Sequence, residues 1–196
     1  MSYDLFADAG AATPAQDTVE RLFIGLMLPD MQAGQALEVL DQSRAEHGLR
    51  GPAIRKDRLH VTLIHVGDYA TRLPASVVSD VTRAAAALTP AAFEVTFDRV
   101  SSFSGAPGRY PHILLGDKGV QAIKAFRADL LTSVVRHGVK PLSRQDFNPH
   151  VTLSYGDRRL PERPIRPISW RPEEFMLIHS EVGRSIYHML GRWPLR

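Results

Sequence analysis

Apolar residues along the chain fall into short runs that are separated by turn signals. Residues 21–28 form an apolar run of strand length that is followed by Pro29-Asp30, and this pattern predicts a buried strand. From residue 30 to 47 apolar side chains recur at helical spacing up to Gly48, which predicts a helix with a glycine stop. The chain is therefore expected to open with a strand and then a helix.

The remaining pattern predicts strands and helices in mixed order. Strands are predicted at residues 59–66, 93–100, 110–115 and 150–155, and helices at residues 74–88 and 120–137. Four prolines in residues 158–172 predict a loop. Residues 174–182 and 185–190 are typical of a closing hairpin. A sheet with helices packed on it, an α+β arrangement, is the expected fold class.

Composition excludes some classes of protein. The 196 residues suit one large domain or two small lobes, and no apolar run reaches the roughly 18 residues that span a bilayer. The absence of cysteine excludes disulfides and thiolate zinc sites, and the net charge of +3 favours a polyanionic partner only weakly. Residues 1–19 are expected to be a flexible tail without a signal peptide, residues 20–196 a single domain, and the cytoplasm the location.

The tetrapeptide His-Val-Thr-Leu occurs twice, at residues 60–63 and 150–153. A match of this kind between two histidines arises by chance on the order of 1% of the time. Because residues i and i+2 of a strand share a face, His60 and Thr62 are expected to point together, and so are His150 and Thr152. Two such strands facing each other would form a pocket with two imidazoles and two hydroxyls.

This set of side chains suits phosphoryl chemistry. An imidazole titrates near pH 6.5, so one histidine can accept a proton while the other donates one. Threonine hydroxyls can donate hydrogen bonds to phosphate oxygens, so neither a metal nor a cofactor is expected. A metal pair formed by His60 and His65 is disfavoured, because the alternation of a regular strand places His65 on the opposite face.

The two His-x-Thr-x motifs, separated by about ninety residues, resemble those of the two-histidine phosphoesterase superfamily. Within it, the chain resembles the RNA 2′,3′-cyclic phosphodiesterases, also called 2′-5′ RNA ligases. The resemblance rests on Arg21-Leu-Phe-Ile, on Leu59-His-Val-Thr-Leu with Gly67-Asp68, on Phe147-Asn-Pro-His-Val-Thr-Leu, and on the closing residues 170–195. It implies a bilobal fold, with two lobes of antiparallel sheet about a pseudo-twofold axis, helices outside and a cleft between the lobes.

The resemblance also implies a reaction. His60 and His150 would be the catalytic pair, and Thr62 and Thr152 would bind the phosphate. The substrate would be RNA or a nucleotide with a 2′,3′-cyclic phosphate end, which a monomeric enzyme would open to a 2′-phosphate, with possible reversal as 2′-5′ ligation. Our hypothesis is that His150 activates water and His60 protonates the departing 3′-oxygen, although the two roles could be exchanged.

The sequence departs from the family pattern at two positions. Members often carry a basic residue after the first motif and an arginine after the second, where this chain has Ile64 and Tyr155. Tyr155 is expected to donate a hydrogen bond to the substrate, and Phe147 either stacks on a base or packs in the core. Arg109 or His112 are candidates for the missing charge.

Two other functions remain open from the sequence. One is a related two-histidine enzyme that cleaves 2′-5′ oligonucleotides or a small cyclic phosphate. The other is a non-catalytic RNA-binding module, which the two intact motifs disfavour because a pure binder needs no pair of titrating groups.

Overall fold

The computed structural model describes residues 19–143 and 146–196, which form one antiparallel sheet and three α-helices. The eight strands are Glu20–Met27 (β1), His60–Tyr69 (β2), Val95–Ser102 (β3), Tyr110–Leu115 (β4), His150–Gly156 (β5), Arg163–Trp170 (β6), Glu174–Glu181 (β7) and Ile186–Pro194 (β8). The helices are Asp30–His47 (α1), Ala75–Ala86 (α2) and Gln121–Arg136 (α3). The expected α+β class is confirmed.

The sheet consists of two four-stranded halves. Its strand order is β6-β3-β4-β5-β2-β1-β7-β8, and every paired neighbour is antiparallel. The halves meet where β2 lies beside β5, and the only partners there within the described residues are Val61 and Val151. The two expected lobes therefore correspond to the two halves of one sheet, and the repeated tetrapeptides lie at their junction.

The helices cover one face of the sheet and close the core there. Helix α1 lies against β5 and β6, whereas α2 and α3 pack together and reach β8 and β2 respectively. The valine and leucine of each repeated tetrapeptide are buried in this core. Residues alternate across a strand, so the histidine and threonine of each tetrapeptide face away from the helices.

Helix α1 occupies the predicted residues, and Gly48 ends it in the left-handed conformation with φ of 64°. The other helices and most strands lie within a few residues of their predicted positions, and β8 extends beyond the predicted residue 190 to Pro194.

The N-terminal tail predicted at residues 1–19 falls almost wholly outside the described residues. Within the described chain, none of the helices has the length and apolar character needed to cross a membrane.

The prediction of a loop throughout residues 158–172 was wrong, because residues 163–170 form β6. Proline has no N–H to donate to a neighbouring strand, so it is tolerated where a strand is paired on one side only. Strand β6 is at the edge of the sheet and pairs with β3 alone among the described strands. Whether a proline-rich segment becomes an edge strand depends on the topology, which the local pattern does not contain.

Each repeated tetrapeptide contains an extra residue at its leucine. In the pairing of β2 with β1, Leu63 is skipped, and in the pairing of β5 with β4, Leu153 is skipped. An extra residue of this kind reverses the alternation of side chains beyond it. His65 therefore pairs with Phe23 and faces the same side as His60, so the prediction that it faces the opposite side was wrong.

Candidate active site

The junction of β2 and β5 brings the two tetrapeptides together in a symmetric arrangement. Because Val61 lies opposite Val151, the antiparallel direction of the strands sets Thr62 across from His150 and His60 across from Thr152. The histidine and threonine side chains are half-buried, whereas the two valines are fully buried. The structure thus brings together the four residues that the sequence predicted.

Both imidazoles are oriented by the same local contact. Nδ1 of His60 lies 2.7 Å from the carbonyl oxygen of Arg58, and Nδ1 of His150 lies 2.8 Å from the carbonyl oxygen of Asn148. A carbonyl oxygen only accepts, so Nδ1 carries the proton in each ring, and in the neutral form Nε2 is the basic nitrogen. The hydroxyl of Thr62 lies 3.1 Å from Nε2 of His60, to which it donates.

The two histidines line one cleft with an empty volume of about 640 Å³, part of it open to solvent. The cleft is lined by Arg21, Phe23, Ile54, Arg58, His60, Thr62, His150, Thr152, Tyr155, Ser180, Val182 and Tyr187. It therefore combines titratable groups, hydroxyl donors and aromatic rings.

Aromatic rings pack against the imidazole of each histidine. The ring of Phe23 lies 4.8 Å from that of His60, and Tyr187 approaches the same imidazole edge-on at 5.8 Å. The ring of Phe103 meets His150 edge-on at 4.8 Å. Because these contacts restrict the rotation of the imidazoles, they help to hold both Nε2 atoms in place.

The surroundings of the cleft disfavour the charged form of both histidines. Burial lowers the pKa of His60 to about 4, and the positive charges of His150, Arg58 and Arg21 act in the same direction, although the hydrogen bond to the Arg58 carbonyl opposes them. Burial also lowers the pKa of His150 from its ordinary value, against the effect of its hydrogen bond to Asn148. Without substrate, both imidazoles are therefore neutral near neutral pH.

Of the other residues predicted for the site, Tyr155 lines the cleft, whereas Phe147 and His112 do not. Tyr155 lines the cleft, because the extra residue in β5 turns it to this face, and the guanidinium of Arg109 lies 5.2 Å from its ring. Phe147 is not among the cleft residues; it packs against the core, with the guanidinium of Arg127 4.6 Å from its ring. His112 is fully buried, where it bonds to Ser154 and to a backbone carbonyl.

Two arginines in the cleft were missed as site residues in the sequence. Arg58 precedes the first tetrapeptide, and its guanidinium lies 4.2 Å above the ring of Tyr187. Arg21 is the second residue of β1 and shares the cleft face of that strand with Phe23. A charged residue at the start of an otherwise apolar strand was the available signal for Arg21. Arg58 could be found from its position two residues before a candidate catalytic histidine.

No three histidine, aspartate or glutamate side chains within residues 19–143 and 146–196 form a group that could hold a metal ion. The side chains that line the described cleft include imidazoles, hydroxyls and guanidinium groups.

The chain is similar to known proteins in both sequence and structure. Residues 29–184 match the family model of the 2′-5′ RNA ligase superfamily. No curated protein sequence matches the chain significantly. The fold is similar to that of E. coli LigT complexed with 3′-AMP, with 24% identity and a TM-score of 0.73 over 90% of this chain and 98% of that one.

Two further solved structures have a similar fold. TT0787 of Thermus thermophilus is 22% identical, with a TM-score of 0.69 over 90% of this chain and 98% of that one. Usb1 of Kluyveromyces marxianus is 14% identical, with a TM-score of 0.52 over 93% of this chain and 100% of that one.

Proposed function

The chain belongs to the 2′-5′ RNA ligase superfamily of two-histidine phosphoesterases, and from this premise we propose that it hydrolyses 2′,3′-cyclic phosphate ends of RNA or nucleotides to 2′-phosphates without a metal. The observation that carries the proposal is the pair of half-buried imidazoles, each held through Nδ1 and each beside a threonine, in one cleft. The nucleotide in the LigT complex supports a nucleotide as the ligand of this fold.

In the proposed reaction, one imidazole acts as the base and the other as the acid. The base takes a proton from water, whose oxygen forms a bond to phosphorus while the bond from phosphorus to the 3′-oxygen breaks. The second imidazole, protonated when the anionic substrate is bound, gives its proton to that 3′-oxygen. The hydroxyls of Thr62 and Thr152 donate hydrogen bonds to the non-bridging oxygens, where negative charge increases in the transition state.

The charges around His60 bear on which histidine has which role. Arg58 and Arg21 both disfavour the protonated form of His60. When one ring of the pair carries a proton, these cations make His60 the ring that is left unprotonated and therefore available as the base. We therefore assign the base to His60 and the acid to His150, the exchange of our initial hypothesis.

We predict that kcat/KM for a nucleoside 2′,3′-cyclic phosphate is greatest on the acidic side of neutral pH. The base must be above its pKa and the acid below its own, and the pKa values of both histidines are lowered. One limb of the profile is expected near pH 4, and the other below the ordinary imidazole value of about 6.5. Initial rates across this range, at pH values where circular dichroism shows a folded protein, measure it. An optimum in the alkaline range would contradict it.

The test of the proposed function is a substrate panel in the presence of EDTA. We expect hydrolysis of nucleoside and oligonucleotide 2′,3′-cyclic phosphates, with the 2′-phosphate as the product identified by chromatography. Faster cleavage of 2′-5′-linked oligonucleotides or of 3′,5′-cyclic nucleotides would assign the cleft to a different substrate. Binding of RNA with no turnover of any phosphodiester would indicate a binding module and overturn the proposal.

A further inference from the structure

Arg21 lies in the cleft at a distance from the repeated tetrapeptides. Arg21, Phe23 and Gly25 share one face of β1, and Gly25 pairs with Thr62. The four residue steps from Gly25 to Arg21 correspond to about 14 Å of strand at about 3.4 Å for each step. The ring of Phe23 lies between them and contacts His60. Arg21 therefore lines a part of the cleft beyond the place where the two threonines bind the reacting phosphate.

The guanidinium of Arg21 is held in position by Asp68. Its Nε donates to Oδ1 of Asp68 at 2.8 Å and its Nη2 donates to Oδ2 at 2.9 Å, so the two groups pair through two parallel hydrogen bonds. Asp68 faces Arg21 because a second extra residue in β2, Val66, turns it to the cleft side. The side chain of Arg21 is only 14% exposed. The plane of the guanidinium is thereby fixed in the wall of the cleft.

His65 completes this arrangement. Its Nε2 donates to Oδ1 of Asp68 at 2.8 Å, and its side chain is almost fully buried. Burial alone would raise the pKa of Asp68, but the hydrogen bonds from His65 and Arg21 hold that pKa well below its usual range. Asp68 therefore stays ionised near neutral pH and remains an acceptor for the guanidinium of Arg21.

The two cleft arginines are suited to different groups of the substrate. Arg58 lies two residues before His60, and its guanidinium lies over the ring of Tyr187, which in turn contacts the imidazole of His60. Arg58 is therefore placed beside the catalytic pair, whereas Arg21 lies beyond the ring of Phe23 on β1. Arg21 pairs with Ser180 of β7, and Ser180 also lines the cleft. A guanidinium with a hydroxyl beside it, set apart from the catalytic pair, is a suitable binding site for another phosphate.

We propose that Arg21, with Ser180 beside it, binds a second phosphate of the substrate. This group is the 5′-phosphate of the nucleotide whose cyclic phosphate lies between the histidines. In an RNA chain it is the phosphodiester that links the terminal nucleotide to the one before it. The inference rests on the proposed function, which it deepens: the cleft selects RNA ends and 5′-phosphorylated nucleotides over nucleosides that carry the cyclic phosphate alone.

The experiment measures binding of two reaction products that differ only in the second phosphate, adenosine 2′-monophosphate and adenosine 2′,5′-bisphosphate. Isothermal titration calorimetry is expected to show the bisphosphate binding to the unmodified protein at least about tenfold more tightly, as one charge-assisted pair implies. In Arg21→Gln the ratio of the two dissociation constants should approach one.

The matched control is Arg166→Gln, which removes one positive charge from an exposed position on β6 outside the cleft. This variant should keep the ratio of dissociation constants that the unmodified protein shows. If the ratio falls as far as it does in Arg21→Gln, net charge alone is responsible for the preference. An unchanged ratio in folded Arg21→Gln, or equal binding of both products by the unmodified protein, would overturn the inference. Product binding needs no turnover, so hydrolysis of adenosine 2′,3′-cyclic phosphate, assayed in parallel, tests the proposed function separately.

Discussion

Replacement of either cleft histidine, as His60→Ala or His150→Ala, is expected to lower kcat for a nucleoside 2′,3′-cyclic phosphate by between about 10² and 10⁴-fold. Each substitution removes an Nε2 atom that no other imidazole in the described cleft can replace. Because the base and the acid act in the same transition state, the double variant should be little slower than the slower single variant. Single-turnover rates on adenosine 2′,3′-cyclic phosphate measure these effects.

The control for this prediction is His137→Ala. His137 follows α3 outside the cleft lining, where its Nδ1 contacts the carbonyl oxygen of Ser133. Its replacement should leave kcat within about twofold, as expected for a substitution outside the cleft without a role in the reaction. Activity that survives in both His60→Ala and His150→Ala would exclude the two-histidine mechanism in this chain.

The same variants can distinguish the acid from the base. A p-nitrophenyl phosphodiester has a leaving oxygen that departs without protonation, so the acid becomes dispensable while the base is still needed. If His150 is the acid, His150→Ala should lose much less activity on this ester than on the cyclic phosphate. His60→Ala should lose a similar factor on both substrates. The opposite pattern would restore our initial assignment of the roles.

The four central site residues could be predicted because their signal is local. Because the tetrapeptide lies on a strand in both places, its sequence alone predicts that the histidine and the threonine share a face. The sequence does not show that the two strands pair with each other. The structure joins them at Val61 and Val151, within the tetrapeptides themselves. The family resemblance pointed to the same pair, and the fold and the family are both confirmed.

The remaining site residues depend on pairing between distant parts of the chain. Tyr155 and His65 reach the cleft face only because β5 and β2 each contain an extra residue at a leucine, and a strict alternation gives the wrong face for His65. The guanidinium of Arg21 is held by Asp68, which is 47 residues away in the chain. Phe147 packs against the core, in contact with Arg127 of α3. None of these contacts leaves a pattern in the neighbouring sequence.

The threonines carry the second large effect that we expect. Thr62→Val and Thr152→Val keep the shape and the β propensity of the side chain but remove the hydroxyl that we propose donates to a non-bridging oxygen. Loss of one such donor should lower kcat by about 10²-fold, with a smaller change in KM, because the bond strengthens as negative charge increases in the transition state. Steady-state kinetics on the cyclic phosphate measure both constants.

Serine is the matched control, since Thr62→Ser and Thr152→Ser keep the hydroxyl and should retain most of the activity. If the serine variants are as slow as the valine variants, packing rather than hydrogen bonding explains the loss. The two positions should also differ in one respect. The hydroxyl of Thr62 donates to Nε2 of His60 at 3.1 Å and so stabilises the neutral ring. Its loss in Thr62→Val should raise the pKa of His60 and move the limb of the pH profile near 4 to higher pH.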